Sequence, residues 1–172
     1  MRLMGVTIHF EGRLQSEAAY TRCIQNTLAF AAVRGWRVEP IEPAERTLHR
    51  VRNDEDLDYS GPTRGVCVLA HDDAERLRLE FDRDLYVQEY VKTQFAPIDV
   101  HVAIVELLSQ LAPEFEELSV EDEGEYWGTR DRSLLERHIS SCFAAMDDAI
   151  AADPTLSGPF RMPSGRIADL VR

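Results

Sequence analysis

Residues 64–81, RGVCVLAHDDAERLRLEF, carry the pattern that decides the fold. The first seven residues are almost all apolar, which is typical of a strand in the middle of a sheet. In residues 76–81, leucine and phenylalanine alternate with charged side chains, as in a strand with one face in water. The segment His71-Asp72-Asp73 between them is short enough for a hairpin turn. The stretch therefore predicts two adjacent antiparallel strands.

Further strands flank this hairpin on both sides. Alternating apolar residues predict a strand over residues 4–10, and two short β segments follow at 36–39 and 46–51. Residues 53–62 are polar and are predicted to form a loop. Residues 85–95 fit either a strand or a helix, and the strand is the favoured interpretation. The chain therefore contains several consecutive strands with short connections.

Three helices are predicted from apolar side chains that recur at helical spacing. A short strand at residues 118–120 is expected between the second and the third. Serine and glycine favour the two ends of a helix, and proline favours its first turn or the residues beyond its end. The first helix is predicted between Ser16 and Gly35, and the second between Pro97 and Pro113. The third begins at Asp131 or Ser133 and ends before Pro154.

This order of elements favours an α+β domain, with a doubly wound α/β fold as the alternative. We expect an antiparallel meander sheet of about five to six strands, with three helices packed mainly on one face. Residues 1–153 are predicted to form this single domain. Residues 154–172 contain several prolines and glycines, so we expect an extended segment with a short helix at Ser164. That segment is predicted to pack on the domain or on a neighbouring subunit of a homodimer.

Charge is distributed unevenly along the chain. The 172 residues carry a formal net charge of −12, and residues 53–153 hold 25 acidic and 8 basic side chains. Both ends of the chain are slightly basic. An acidic surface repels a phosphate backbone, so we expect no nucleic-acid partner. The same surface attracts a basic protein, a cationic ligand or a divalent metal.

Several features favour a cytoplasmic protein. The longest apolar run, residues 28–33, has six residues, against the roughly 20 that span a bilayer, so no membrane partner is expected. The first residues lead directly into a strand pattern, without the apolar segment of an export signal. The three cysteines are far apart in apolar surroundings, which indicates reduced thiols rather than disulfides.

No motif in the sequence has the specificity of a known catalytic signature. A phosphate-binding loop, a nucleophile elbow, a pair of zinc knuckles and a dinucleotide fingerprint are all absent from the 172 residues. We therefore expect no metal and no cofactor, and we assign no catalytic residue. An enzyme is disfavoured by this result without being ruled out.

One candidate binding surface lies on residues 85–95. If this segment is a strand, its even-numbered face alternates aromatic side chains with side chains that form hydrogen bonds. Tyrosine and an isolated lysine suit the recognition of a polar ligand or partner. Lysine occurs once in the chain, and the other 18 basic residues are arginines. The candidate binding residues on this face are Tyr86, Tyr90, Lys92 and Gln94.

A second candidate surface is the acidic loop that precedes the third helix. Glu123 and Glu125 stand beside Tyr126 and Trp127. Carboxylates next to aromatic rings form a receptor for arginine or lysine, through ion pairs and cation–π contacts. The alternative interpretation is that the two aromatic residues close the start of the third helix while the acids remain in water.

A candidate pocket is predicted between the sheet and the second helix. His101 lies on the core side of that helix, and Glu80, Asp82 and Asp84 follow one another at alternate positions at the end of a strand. Carboxylates held close together raise one another's pKa or recruit a divalent metal. The simpler alternatives are a hydrogen-bonded core histidine and a row of solvated charges.

Two functional hypotheses follow from these candidates. The first is a soluble acidic binding protein, resembling an immunity or adaptor protein in its role, that recognises a basic partner or a cationic ligand. The second is a small enzyme or divalent-metal protein with a pocket built from His101 and the row of Glu80, Asp82 and Asp84. Because no catalytic motif is present, the first hypothesis is favoured.

Overall fold

The computed structural model describes residues 5–172, in which helices pack against two three-stranded antiparallel sheets. The predicted α+β class is therefore confirmed. In chain order the elements are β1 (Thr7–Leu14), α1 (Glu17–Arg34), β2 (Arg37–Leu48), β3 (Val51–Arg52), β4 (Glu55–Asp56), β5 (Tyr59–Leu69), β6 (Leu77–Phe81), β7 (Tyr86–Lys92), α2 (Ile98–Leu111), a 3₁₀ turn (Ala112–Glu114), β8 (Phe115–Asp122), α3 (Tyr126–Thr129), α4 (Arg132–Ala152), β9 (Phe160–Arg161) and β10 (Ile167–Ala168).

The six longest strands divide into two sheets because β7 pairs with β1 and not with its chain neighbour β6. The meander sheet has the order β2-β5-β6, and the β1 sheet has the order β7-β1-β8. A tight turn joins β6 to β7, in which the Asp82 N–H donates to the Tyr86 carbonyl oxygen over 3.0 Å. The sequence pattern identifies these strands but not their division, since periodicity shows which face of a strand is buried and not which strand lies beside it.

One hydrophobic core lies between the two sheets and the first two helices. It includes Ile8 and Phe10 from β1, Leu79 from β6 and Ile104 from α2, each at most 2% exposed. Alternation along β1 directs every second side chain into this core. The other face of the β1 sheet lies outside the core, and it carries the candidate site.

Local sequence signals place the helix ends correctly. The Ser16 side chain accepts a hydrogen bond from the Ala19 N–H over 3.1 Å at the start of α1. Gly35 ends α1 with a φ of 67°, a left-handed conformation that glycine adopts without strain. Asp131, rather than Ser133, is the N-cap of α4. Among residues 5–172, no helix combines the length and the apolar character needed to cross a membrane.

Strand β2 is longer than predicted. The segment expected at 36–39 joins with the first part of the one expected at 46–51 in a single strand, although Pro40 and Pro43 lie between them, and Val51 belongs to β3. Proline is tolerated in β2 because this is an edge strand, and a β-bulge interrupts its pairing with β5 near the two prolines. The sequence predicts two separate strands because proline is usually taken to end a strand, and the sequence does not show that β2 lies at the edge of its sheet.

Other boundaries also differ from the prediction. The polar loop expected over residues 53–62 is shorter, because β4 follows β3 in a small ladder and β5 begins at Tyr59. The strand expected at 118–120 extends to the whole of β8. The strand interpretation of residues 85–95 is confirmed by β7. Met4, the predicted start of the first strand, lies outside the described residues.

The C-terminal segment packs on its own domain. The Lys92 Nζ donates to the Ile167 carbonyl oxygen over 3.1 Å and to the Asp169 carboxylate over 2.9 Å. The buried Glu75 carboxylate accepts a hydrogen bond from the Ile167 N–H over 2.8 Å. Strands β9 and β10 form a hairpin in place of the short helix expected there. Self-association through residues 154–172 stays a prediction, which sedimentation of the full-length and truncated proteins would test.

Candidate functional site: a groove across the open face of the β1 sheet

The open face of the β1 sheet carries three rows of polar and aromatic side chains. Strand β1 is paired antiparallel on both sides, so residues directly opposite one another share a face. The side chains of β1 that point away from the core therefore meet side chains of β7 and β8. The three rows are Tyr90–His9–Glu121, Gln88–Glu11–Ser119 and Tyr86–Arg13–Glu117.

Two clefts follow these rows and join into one groove. The larger cleft, of about 590 Å³, lies between the β1 sheet and the arm, which consists of strands β2 to β5 (residues 37–69). His49 and Val51, at the tip of this arm, lie above the cleft. The smaller cleft, of about 360 Å³, shares Glu11 and Ser119 with the first. The two clefts together form the groove. The three rows form its floor, and the tip of the arm forms a roof over the larger cleft.

The roof is held in place by side chains of the neighbouring strands. The Gln88 amide accepts a hydrogen bond from the Val51 N–H over 3.0 Å and donates to the Val51 carbonyl oxygen over 2.9 Å. Arg50 is 10% exposed; it donates to the Asp82 carboxylate over 2.6 Å and to the Tyr86 carbonyl oxygen over 3.1 Å. The chain's own contacts therefore form the groove without help from a ligand.

Glu11 is a fixed carboxylate on the floor of the groove. Its Oε2 accepts hydrogen bonds from the Tyr86 hydroxyl and, over 3.0 Å, from the Gln88 amide. Burial by itself would raise the pKa of the Glu11 carboxyl, but these two bonds and the charges of Arg52 and Arg50 hold that pKa below its usual value. Glu11 is therefore ionised at neutral pH and points in one direction.

Three further carboxylates lie along β8. Glu116, Glu117 and Glu121 are exposed, and within residues 5–172 none of the three forms an ion pair or a side-chain hydrogen bond. Together the two clefts are lined by five glutamates and two arginines, Arg13 and Arg166. The lining residues therefore carry an excess of negative charge, and Arg50 and Arg52 of the arm lie close enough to act on Glu11.

His9 and Tyr90 form an aromatic pair at one end of the groove, with ring centroids 5.6 Å apart. Glu123 accepts a hydrogen bond from the Thr7 N–H over 2.9 Å and lies 3.8 Å from the His9 Nε2. Burial would raise the pKa of Glu123, but its contacts with His9 and Thr7 hold that pKa below the usual value. The Arg166 guanidinium stacks on the Tyr90 ring at 3.7 Å. The Tyr90 ring therefore already forms a cation–π contact with one guanidinium group of the protein.

The predicted polar face of β7 divides between two places. Tyr86 and Tyr90 line the groove. Lys92 instead holds the C-terminal segment, as described above. Gln94 is 1% exposed, and its side-chain oxygen accepts a hydrogen bond from the Val6 N–H over 2.9 Å. The structure therefore brings the two tyrosines to the candidate site and places the other two residues in internal contacts.

The acidic loop before α4 also divides. Glu123 lies beside His9 without lining either cleft, whereas the Glu125 carboxylate pairs with a histidine of α4 at 2.5 Å. Tyr126 and Trp127 are partly buried against the core, and the Arg130 guanidinium lies over both rings, at 5.8 and 5.1 Å from their centroids. The two aromatic residues therefore pack between the end of β8 and the start of α4, as in the simpler interpretation, but both acids have partners within the fold. Binding of arginine or lysine at this loop stays a prediction.

His101 is fully buried and lines neither cleft. Its Nε2 lies 3.1 Å from the Asp122 carboxylate, and its Nδ1 lies 2.7 Å from the Thr93 hydroxyl. An ionised carboxylate can only accept, so Nε2 donates to Asp122, and Nδ1 shares a hydrogen bond with the Thr93 hydroxyl. Burial would raise the pKa of Asp122, but His101 and the N–H groups of Trp127 and Gly124 hold it below the usual value. His101 is thus a hydrogen-bonded core residue.

The row of Glu80, Asp82 and Asp84 is divided among separate contacts. Glu80 accepts hydrogen bonds from the Thr63 hydroxyl over 2.7 Å and from Arg78 over 2.6 Å. Burial would raise the pKa of Glu80, but these two bonds hold it below the usual value. Asp82 pairs with the arginine of the roof, and Asp84 is exposed. Among residues 5–172, no three His, Cys, Asp or Glu side chains are placed to hold a metal ion.

The carboxylates of the groove are not prominent in the sequence. Glu11 lies in a strand with no special motif, and the alternation of Glu117, Ser119 and Glu121 with apolar residues is the signal that marks β8 as a strand with one polar face. Nothing local in the sequence places the β2–β5 arm over the β1 sheet, because that contact joins residues far apart in the chain.

Comparisons of this chain with models of protein families, with curated proteins and with solved structures found no match.

Proposed function

We propose that the protein is an acidic binding module that recognises a basic segment of a partner protein, a role like that of immunity or adaptor proteins. The observation that carries this proposal is the unequal charge of the groove, which has five glutamates and two arginines. Glu116, Glu117 and Glu121 have no partner among residues 5–172, so a basic ligand would form ion pairs with them without breaking existing ones. The groove passes all three rows, which suits an extended segment better than a small cation.

Arginine is the side chain that the groove is best equipped to bind. Carboxylates form two parallel hydrogen bonds with a guanidinium group. Glu117 and Glu121, which have no partner among residues 5–172, can form such contacts, whereas the Glu11 Oε2 already accepts two bonds from the fold. A guanidinium over an exposed aromatic ring gains about 0.5–1 kcal/mol, and Tyr90 already holds Arg166 in this way. An incoming arginine would find the same chemistry along the neighbouring rows.

A cytoplasmic location is part of this proposal. Cys23 and Cys67 are buried thiols that form no disulfide bond, as expected in a reducing compartment. Burial raises the pKa of Cys23 to about 12, so this thiol is protonated and unreactive at neutral pH. Fractionation of the source cells would test the location directly.

The alternative of a small enzyme or divalent-metal protein has less support. His101 is enclosed by its partners, and Glu80 and Asp82 are paired with arginines. Neither cleft is lined by any of these three residues, so neither cleft brings them to a substrate. We therefore keep the binding function as the single proposal.

Affinity capture at low salt tests the proposed function. A bait carrying Glu116→Gln, Glu117→Gln and Glu121→Gln loses three charges but none of the side-chain hydrogen bonds among residues 5–172. We expect the wild-type bait to retain a basic protein at low salt and to release much of it near physiological ionic strength, where the Debye length is about 8 Å. The triple variant should retain none.

The matched control removes three charges from exposed positions outside the groove. Asp84→Asn, Asp147→Asn and Asp148→Asn meet this requirement, since all three aspartates are exposed and line neither cleft. This control bait should behave like the wild type. Equal capture by all three baits, or no capture by the wild type, would contradict the proposed function.

A further inference from the structure

The two sheets differ in how their outer strand edges are protected. In the meander sheet, the outer strand β2 contains Pro40 and Pro43 and a β-bulge, which are devices that prevent another strand from pairing. In the β1 sheet, the outer strand β8 has no proline, and its pairing with β1 is regular from Glu117 to Asp122. The other outer strands, β6 and β7, contact each other. The edge of β8 is therefore suited to accept a further strand.

The pairing of β8 with β1 determines which of its backbone groups are unused. The Glu123 N–H donates to the Thr7 carbonyl oxygen over 3.0 Å, so odd-numbered residues of β8 bond to β1. Even-numbered residues direct their N–H and C=O groups away from the sheet. Among the backbone hydrogen bonds of residues 5–172, none involves these outward groups of Leu118 and Val120. They form a row that an extended chain can bond to.

The side chains of β8 define what sequence such a chain should have. An added strand places its side chains beside those of β8 on both faces. On the open face its neighbours are Glu117 and Glu121, which are exposed and acidic. On the opposite face they are Leu118 and Val120, which are apolar and partly buried against the core. Basic residues fit the first face and apolar residues fit the second.

We propose that β8 binds an extended segment of the partner by β-strand addition, and that this segment alternates basic and apolar residues. The inference rests on the proposed function, because it describes how the backbone of the basic partner is held. A second copy of this chain fits less well, since paired β8 strands would bring the acids at Glu117 and Glu121 of both copies together. Opposite charges, by contrast, stabilise a cross-strand pair.

Amide hydrogen exchange measured by NMR tests strand addition directly, with a short end-blocked peptide of alternating arginine and valine as the probe. In the free protein, the N–H groups of Leu118 and Val120 should exchange quickly, and those of Ser119 and Glu121, which bond to β1, should be protected. Saturating peptide should slow exchange at Leu118 and Val120 by at least about tenfold. Unchanged exchange at both amides in the bound complex would overturn the inference.

A proline variant provides an independent test of the same edge. Val120→Pro removes an outward N–H but no bond between β8 and β1, and Val120→Ala is the control for the lost side-chain contacts. We expect the proline variant to bind the peptide about tenfold more weakly than the alanine variant, which lacks the same side-chain contacts but keeps the outward N–H. A peptide N-methylated at alternate amides should also bind about tenfold more weakly to the wild-type protein, a result that does not depend on how the proline variant folds.

The combined outcomes separate the edge from the groove. If Glu117→Gln with Glu121→Gln weakens peptide binding while Val120→Pro and N-methylation do not, strand addition is overturned and groove binding stands. If neither set of changes alters binding, both proposals fail. A dimer in sedimentation that Val120→Pro abolishes would assign the edge to a second copy of the chain and overturn the basic partner as its occupant.

Discussion

The acidic residues of this protein fall into two groups with opposite surroundings. Glu75 and Glu80 are 2% and 3% exposed, and both accept hydrogen bonds from arginine as well as from other groups of the fold. Glu117 and Glu121, in contrast, are exposed and have no such contacts within residues 5–172. The first group holds the chain together, and the second is available to a partner. Net charge alone does not separate these roles, whereas hydrogen-bond partners do.

Glu75→Ala should cause the largest loss in the free energy of unfolding. It leaves the N–H groups of Lys92 and Ile167 without their acceptor and removes one carboxylate from Arg166. Removing one partner from a buried ion pair costs about 3–5 kcal/mol, and we expect about 3 kcal/mol because Arg166 keeps Glu89. Urea denaturation followed by circular dichroism measures the change. A loss below about 1 kcal/mol would move Glu75 into the second group.

Acid should weaken the fold through Asp122 and Glu80, whose pKa values lie below the ordinary values of 3.8 and 4.5. A carboxyl whose pKa is lowered by folding adds stability above its unfolded pKa and loses it as the pH falls through the folded pKa. The free energy of unfolding should therefore decline from about pH 5 downward. Denaturation across this pH range should show a shallower decline for Glu80→Gln than for the wild type. If the free energy of unfolding falls equally with pH in Glu80→Gln and in the wild type, Glu80 does not contribute to the decline.

Lys92→Met should have an intermediate effect, because it removes an internal contact that is partly open to water. The Lys92 side chain is 15% exposed, and its partner Asp169 is 12% exposed. We expect a loss of about 1–2 kcal/mol and faster limited proteolysis between residues 154 and 172. Lys92→Arg keeps the charge and should restore much of the protection. Cleavage of Lys92→Met at the wild-type rate would show that other contacts hold the C-terminal segment.

Glu117→Gln combined with Glu121→Gln should have the smallest effect on stability. Neither side chain has a partner among residues 5–172, so the free energy of unfolding should change by less than about 0.5 kcal/mol. The same variant should bind a basic peptide more weakly and with less dependence on salt. A destabilisation above about 1 kcal/mol would place these acids in the first group and remove the contrast between the two.

Local features of this fold were predictable, and features that join distant residues were not. Ser16 and Gly35 mark the ends of α1 because capping involves only neighbouring residues. The alternation in β7 likewise indicates that Tyr86 and Lys92 point away from the core. Whether such a residue meets solvent or protein depends on distant contacts, and Lys92 proved to hold residues 154–172. The groove has the same origin, since its roof and floor are far apart in sequence.

The fluorescence of Trp127 can report on events at the end of β8. Trp127 is one of two tryptophans, and its backbone N–H donates to Asp122, the last residue of β8, over 2.9 Å. The other, Trp36, packs against Phe30 with ring centroids 5.7 Å apart, next to the end of α1. Occupation of β8 should therefore change the emission of Trp127 and leave that of Trp36 unaltered. A Trp36→Phe protein would report on this strand by its own fluorescence.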